Sequence, residues 1–525
     1  CDIQAPYRCT QAKARVHYAR KTLLNLNAQS RIHTGRAIKS LTNVDSSQIL
    51  SYTMEQVLYY NALDAWACWA VEKSIELTPE QESNYKRLIR VQRSNVTMEL
   101  AGLTVNLDES AELKTHLAKK LAEHQEEAST IPEVQQYSRE RKSFSIASPM
   151  DVGAVLVTYC GLQLPKTGAG NYSSNEDALN ELIGKHSLVD LTLDYREVAK
   201  LYSTYVKPIL EGQDLGVDGL IHSSYSATLV ATGRLQSESP NIQNWPRRKH
   251  REIRKQMVAP PGFVLVSYDY GQLEARMIAM GAEDKKLIQN FVNHEDIHTR
   301  WMKRLLTLYP KYIDWVIRQS GEVEEKKLTK AARDRVKNEF VFASLYGAVP
   351  YTIAQATFVP LNIIDDLQDE FWREYKGVRK WIDGQFEAYQ RDGFVETFTK
   401  LQRNEILPRN EVINTPIQGT SAHIVLEAQA GMWEKAVAEK DMAFLPRLNV
   451  HDDLTFIFPE DSDLERRIDV TGKILVKPRF KFSTCPLTVE AKIGYNWCEL
   501  DEIGLWEGSY IGAPDDDDDD DNVPF

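Results

Sequence analysis

With 525 residues and a formal net charge of −12, the chain is long enough for two to four domains with real cores. Its average charge taken alone argues against a nucleic-acid binder. No apolar run reaches membrane-spanning length and no charged-then-apolar leader opens the sequence, so a cytoplasmic protein without membrane partners is expected. The cysteines Cys1, Cys9, Cys68, Cys160, Cys485 and Cys498 contain no closely spaced pair, which predicts reduced thiols rather than a disulfide frame or a zinc site. The charge average misleads, because Asp515 to Asp521 form one acidic run and leave the body only mildly acidic.

In chain order, the first eighty residues read as helical. Within them Met54 to Ile75 sets Tyr60 four residues before Asp64, on one helix face. From Thr78 to Thr130 the pattern is long, charged and helical, interrupted at Ala101 to Asp108 by a short strand and an acidic helix start. Ser143 to Ser148 and Lys166 to Ser174 are Ser/Gly/Lys-rich turns around another helix. They suit phosphate contact, or equally the tips of a solvated helical hairpin. Ala231 to Lys255 begins as a Gly/Ser/Pro loop rich in side-chain amides and ends densely basic, a mixture that suits nucleic acid or a triphosphate. Val264 to Gly281 then delivers Asp269 at the end of a β-branched run and opens a helical pattern carrying Glu274 and Arg276. A carboxylate so placed can hold a divalent metal, although strand ends carry acids in many α/β proteins.

The order of motifs resembles the family A DNA polymerases, the bacterial DNA polymerase one and phage replicative type. The resemblance rests on Thr232-Gly-Arg234, Pro240-Asn-Ile-Gln-Asn244 and Asp269-Tyr-Gly-Gln-Leu-Glu-Ala-Arg276. It continues through Asp296-Ile-His298, Arg333-x-x-x-Lys337 leading to Tyr346-Gly347, and Asn414-Thr-Pro-Ile-Gln-Gly-Thr420, and closes with Val450-His-Asp-Asp-Leu454 and Val489 to Trp497. It implies an α+β right-hand fold, with an antiparallel palm sheet and helical fingers and thumb. It implies template-directed addition of dNTPs to a primer 3′-OH, served by two Mg²⁺ ions, which Mn²⁺ can replace. Such chemistry needs two carboxylates from separate strands. Asp269 is one; Asp452, on a hairpin turn between the apolar flanks Phe444 to Val450 and Leu454 to Phe458, is the other, with Asp453 as a supporting acid.

The same resemblance makes Glu274 a steric gate against ribose, with Arg276 as a structural anchor. It places His298, Arg248, Arg333 and Lys337 around the triphosphate, Tyr346 at the end of the fingers helix, and Phe342 where the 3′-OH is sensed. Arg333 and Lys337 are i, i+4 and share a face of a helix expected from about Leu328 to Leu345. The family pattern puts Lys eight residues before the Tyr; here Lys337 and Tyr346 are nine apart, which would swing Tyr346 off its face. A π-bulge between Asn338 and Ser344 is therefore expected; a regular helix through the segment would instead align Asn338 and cost Lys337 its role. Arg234, Asn241, Gln243, Asn244, Asn414, Gln418 and His451 match positions that grip the primer–template minor groove, where acceptors are nearly sequence-independent.

The expected division is 1–80, the remnant of a 3′–5′ exonuclease domain; 81–215, thumb and connecting helices; 216–282 and 396–508, palm; 283–395, fingers; and 509–525, a disordered acidic tail. Tyr60 and Asp64 match the last exonuclease motif without its partners, so no proofreading by this chain is expected. The tail ends in Pro524-Phe525 after its acids, similar to the tip of bacterial single-stranded-DNA-binding proteins. Replication proteins that read such tips are possible partners of an otherwise monomeric enzyme, in a phage-like setting suggested by the short Lys400 to Asn414 segment and the altered fingers helix. The alternative from another class is a non-catalytic DNA-binding subunit that recruits partners through its tail.

Overall fold

The computed structural model describes residues 8–20, 24–38, 42, 44–247 and 249–510. Up to the first named strand these residues are almost wholly helical. Helices Met54–Ser74 and Pro79–Ala101 (α1) both start in capping boxes, where Thr53 and Thr78 accept from the third helical amide and Gln56 and Gln81 reach back. The predicted interruption is a pair of single bridges, Leu103 to Ile221 and Val105 to Met257. Asn106 then caps helix Leu107–Thr130 by accepting from the amides of Asp108 and Glu109.

Strand Phe263–Tyr270 (β1) is the middle of a five-stranded antiparallel sheet. The other members are Pro446–Val450 (β2), Asp453–Pro459 (β3), Thr488–Gly494 (β4) and Asp501–Glu507 (β5), in the order β2-β3-β1-β4-β5. The two-residue period of β1 explains how it serves core and site together. Val264, Val266, Tyr268 and Tyr270 point into the larger core, shared with the helices of residues 285–382. On the other face Leu265 joins a second core with Leu88, Ile242 and Ile457, and the following residues of that face are Ser267 and Asp269. The strand turns from apolar to polar on one face only, at the end that meets the cleft.

After β1 come helix Leu273–Gly281 (α2) and a helical lobe that includes Ile297–Leu308 (α3) and Glu325–Val336 (α4). At its centre Phe371 packs edge to face with Phe340 and Tyr375, and Trp301 lies tilted against Phe340 and Phe371. The helix expected over 328–345 is divided: α4 gives way to a π turn at Lys337–Phe342, followed by one α turn at Ala343–Leu345. The extra residue is absorbed where the spacing required it. Gly347 then ends the run with φ +80°; a Cβ there would meet Ile413 Cδ1 at 2.8 Å. Helix Arg409–Glu439 (α5) is buried on nearly all sides through its middle, polar residues such as Thr420, His423 and Gln429 included. Arg87 and Arg90 of α1 fasten it through Glu427, with Arg87 Nε 3.1 Å from the carboxylate.

Among the described residues no helix is long and apolar enough to cross a membrane. The acidic run and the terminal Pro524-Phe525 lie outside the described residues, as does Arg248.

Candidate active site

The acids meet because of strand register. Asp269 of β1 stands directly opposite Asp453 of β3 and opposite Glu490 of β4, so these carboxylates share a face across three neighbouring strands. Asp452 occupies the two-residue turn between β2 and β3. His451 supplies the positive φ of that turn at 62°, and the Asp452 carbonyl accepts from the Tyr270 amide at 3.0 Å. The turn is thereby tied to the end of β1.

Burial and the neighbouring Asp452 and Asp453 push the Asp269 carboxyl up to about 7, against the opposing pull of Arg247. Asp453 is raised by burial too, although the Ser267 and Thr455 hydroxyls donate to it. Asp269 Oδ1 is buried and has no hydrogen-bond partner among the described residues. A buried, unpartnered carboxylate oxygen beside a second carboxylate suits a hard divalent cation. Magnesium characteristically takes one or two carboxylates and completes its shell with water and phosphate oxygens. Among the described residues no three His, Cys, Asp or Glu side chains form a closed metal cage.

These acids floor a cavity of about 640 Å³ whose other wall is Arg333, Lys337 and Phe342 from the helical lobe. Carboxylates on one side and cations on the other are the groups that a metal-bound triphosphate requires. Arg333 is held by Asp296, the N-cap of α3, through a two-pronged pair at 2.7 and 3.1 Å. Burial would raise Asp296, but hydrogen bonds from Arg333 and Thr299 outweigh it and hold the carboxyl far below its usual range. Lys337 lines the cavity, 5.7 Å from the Phe342 ring, whereas Asn338 is exposed. The exchange that a regular helix would have forced on these two is absent, because the π turn begins at Lys337 and inserts its extra residue after it.

His298 is fully buried against Phe342, and neither ring nitrogen has a hydrogen-bond partner among the described residues. Burial, then Lys337 and Arg333, pull it down to about 3, so at neutral pH it carries no charge for a phosphate in this conformation.

Glu274 lines both this cavity and a smaller one of about 210 Å³. It pairs with Arg234 on one side and accepts from the Tyr346 hydroxyl on the other. Tyr346, at the end of the lobe helix, also stacks on Phe342 with ring centroids 6.1 Å apart. The sugar-gate candidate thus connects the sheet to the helical lobe. Arg276 is buried and structural: its guanidinium donates to the Gly271 carbonyl and the Thr488 hydroxyl and lies over the Phe291 ring.

The smaller cavity is lined by Arg234, Asn449, His451 and Asp452. Asn241 and Asn244 are exposed, and Asn414 and Gln418 are half-buried on α5. Gln243 differs from the expected outward contact. Its amide is buried, accepting from the Ser237 amide and donating to the Asn449 carbonyl at 3.0 Å each. It begins a chain of amides, since Asn449 donates to Gln429 and Gln429 to Asn95, joining sheet, α5 and α1. A Gln in a loop of amides gives no sequence sign of which way it faces. Arg247, Asp296, Thr488 and Glu490 border the cavity without having been singled out. Asp296 and Glu490 lie within motifs of the resemblance and Arg247 within the basic stretch, whereas Thr488 left no local signal.

Residues 107–499 match the family model described as DNA polymerase family A. DNA polymerase I of Chloroflexus aurantiacus is 28% identical over 487 residues, which cover 89% of this chain and 48% of that protein. DNA polymerase I of Bacillus subtilis is 29% identical over 416 residues, covering 76% and 44%. The chain spans about half the length of these curated relatives or less. Among solved structures, the POL domain of Pol1 from M. smegmatis, in complex with DNA primer-template and dNTP, superposes with a TM-score of 0.72 at 22% identity. The match covers 93% of this chain and 81% of that one. The likeness is of fold: an α+β right hand built on an antiparallel sheet. With the family model matching most of its length and the sheet, acids and lobe arranged as described, the chain belongs to DNA polymerase family A.

Proposed function

We propose that the chain extends a primer 3′-hydroxyl along a DNA template, using dNTPs and divalent cations. The observation that carries this reading is the meeting of Asp269 and Asp452 on the floor of one cavity whose far wall presents Arg333 and Lys337. In this reading 216–282 and 396–508 act as palm, 283–395 as fingers and 81–215 as thumb, with 1–80 left from an exonuclease unit.

Asp269 and Asp452 would hold two Mg²⁺ ions, or Mn²⁺ in their place, with Asp453 supporting from β3. When bound, such ions ease ionisation of the 3′-hydroxyl and neutralise the departing pyrophosphate. Arg333 and Lys337 orient the triphosphate so that the 3′-oxygen lies in line with the α-phosphorus. Glu274 closes the space a ribose 2′-hydroxyl would fill, and an unpaired polar group there adds to the steric penalty. Arg234, Asn241, Asn244, Asn414, Gln418 and His451 are assigned to the primer–template duplex. Gln243 instead holds their loop against β2. Tyr60 lies beside Asp64 in a separate cavity with Asn25 and Asn27, and we assign no proofreading to that pair.

The direct test is extension of a labelled primer–template with dNTPs and Mg²⁺, followed by withdrawal of the dNTPs. Growth in the first phase and an intact 3′ end in the second are expected; absence of growth overturns the reading. Phe342→Tyr gives a finer check. A tyrosine hydroxyl beside the sugar would restore the hydrogen bond that a missing 3′-OH removes. Dideoxynucleotide incorporation should then rise about tenfold relative to dNTPs in single-nucleotide kinetics. The phage-like setting and a tail that recruits replication proteins remain part of the proposal, tested by pull-down with and without the last eleven residues.

A further inference from the structure

Arg247 belongs to no quoted motif, yet its guanidinium reaches the acids of the cavity floor. Nη2 donates to Asp269 Oδ2 at 2.6 Å and Nη1 stands 3.8 Å from Asp452 Oδ1. The backbone that carries it is firmly placed. Trp245 packs against Tyr205 and Trp497, and the carbonyls of Trp245 and Pro246 accept from Arg254, whose guanidinium lies 3.8 Å over the Trp497 ring. The Arg247 side chain is by contrast 49% exposed, and it borders the same space as Arg333 and Lys337. A fixed base thus carries a loosely held arm that can face either the acids or the opposite wall.

One oxygen cannot serve both partners. A divalent cation bound through Asp269 Oδ2 requires the guanidinium to leave, and a pair this exposed is weak enough to yield to a doubly charged ion. Once displaced, a guanidinium beside two other cations is best placed against a polyphosphate, which it can grip with two parallel hydrogen bonds.

We propose that Arg247 is a displaceable counter-ion, which neutralises Asp269 and Asp452 until a divalent cation replaces it and then binds the triphosphate of the incoming nucleotide beside Arg333 and Lys337. The inference rests on the polymerase reading above and adds an order of events. Cation entry and triphosphate capture become one exchange, in which the same side chain opposes the first ligand and assists the second.

The test uses the full chain and two titrations. In the first, Mn²⁺ alone is titrated without DNA or nucleotide and free ion is followed by electron paramagnetic resonance. Arg247→Gln should bind Mn²⁺ about three- to tenfold more tightly than wild type, because the occupied form no longer competes. Arg247→Lys should fall between them, and Asp269→Asn should lose the site. In the second, dNTP binding with Mg²⁺ is measured on a primer closed by a dideoxynucleotide. Here Arg247→Gln should bind about three- to tenfold more weakly, the opposite sign. If an active wild type and Arg247→Gln agree in either titration, or if both titrations move the same way, the proposal is overturned. A wild type that binds Mn²⁺ yet extends no primer overturns the polymerase reading instead, and with it the triphosphate role.

Discussion

Asp269→Asn is expected to reduce primer extension by about 10³-fold or more while making the protein more resistant to heat. The loss of activity follows from removing one of the two carboxylates that face the cavity, where charge developing on phosphate and hydroxyl must be balanced. The stability gain follows from register. Asp269 is buried and, through its register, faces Asp453 across the strands and Asp452 on the turn; burial first and these acids next favour the protonated form and raise its carboxyl to about 7. Between the unfolded and folded pKa values the fold must retain a proton that the unfolded chain releases, and stability is lost over that interval. The melting-temperature difference between variant and wild type should therefore be small near pH about 4, grow toward about 7 and stay constant above. Kinetics and calorimetry on the same preparation check both halves. An inactive variant that melts lower at neutral pH would show the acid to be structural.

Arg333→Ala should raise the KM for dNTP by about 10²-fold with a smaller change in kcat, measured by single-nucleotide insertion. The arginine is aimed at the cavity by Asp296, which holds it with both oxygens. Arg333→Lys should recover only part of the loss, since an ammonium keeps the charge but not the fork. The variant also leaves Asp296 without its partner. In the wild type the depressed Asp296 carboxyl contributes stability above its unfolded pKa, and that contribution fades as the pH falls toward its folded value. Arg333→Ala should therefore be less stable than wild type at neutral pH and approach it in acid.

The parts of the site that were legible in the sequence are those fixed by backbone order. A β-branched run ending at Asp269 had to be a strand, and alternation along it sent Asp269 to the polar face. The apolar flanks around Asp452 had to be a hairpin. Counting nine residues from Lys337 to Tyr346 against a helical period was enough to locate a π turn. With the surplus taken up there, Lys337 rather than Asn338 faces the cavity. Side-chain direction in loops was not legible either. Gln243 turns inward to a backbone carbonyl, and Arg247 turns toward the acids; no periodicity governs either. His298 opens a helix as its motif indicates, but its burial against Phe342 depends on tertiary packing, which local sequence does not encode.

The π turn at Lys337–Phe342 has one more consequence, for how this chain tolerates editing. A residue added to an ordinary helix rotates everything beyond it, so the change is felt along the whole element. Here the surplus is confined to one wide turn: α4 ends at Val336 as a regular helix and the following α turn resumes at Ala343. Arg333 before it and Tyr346 after it meet their partners as if nothing had been inserted. The segment is therefore a place where length and register are uncoupled, a slack link between Arg333 on the cavity wall and the Tyr346 ring against Glu274.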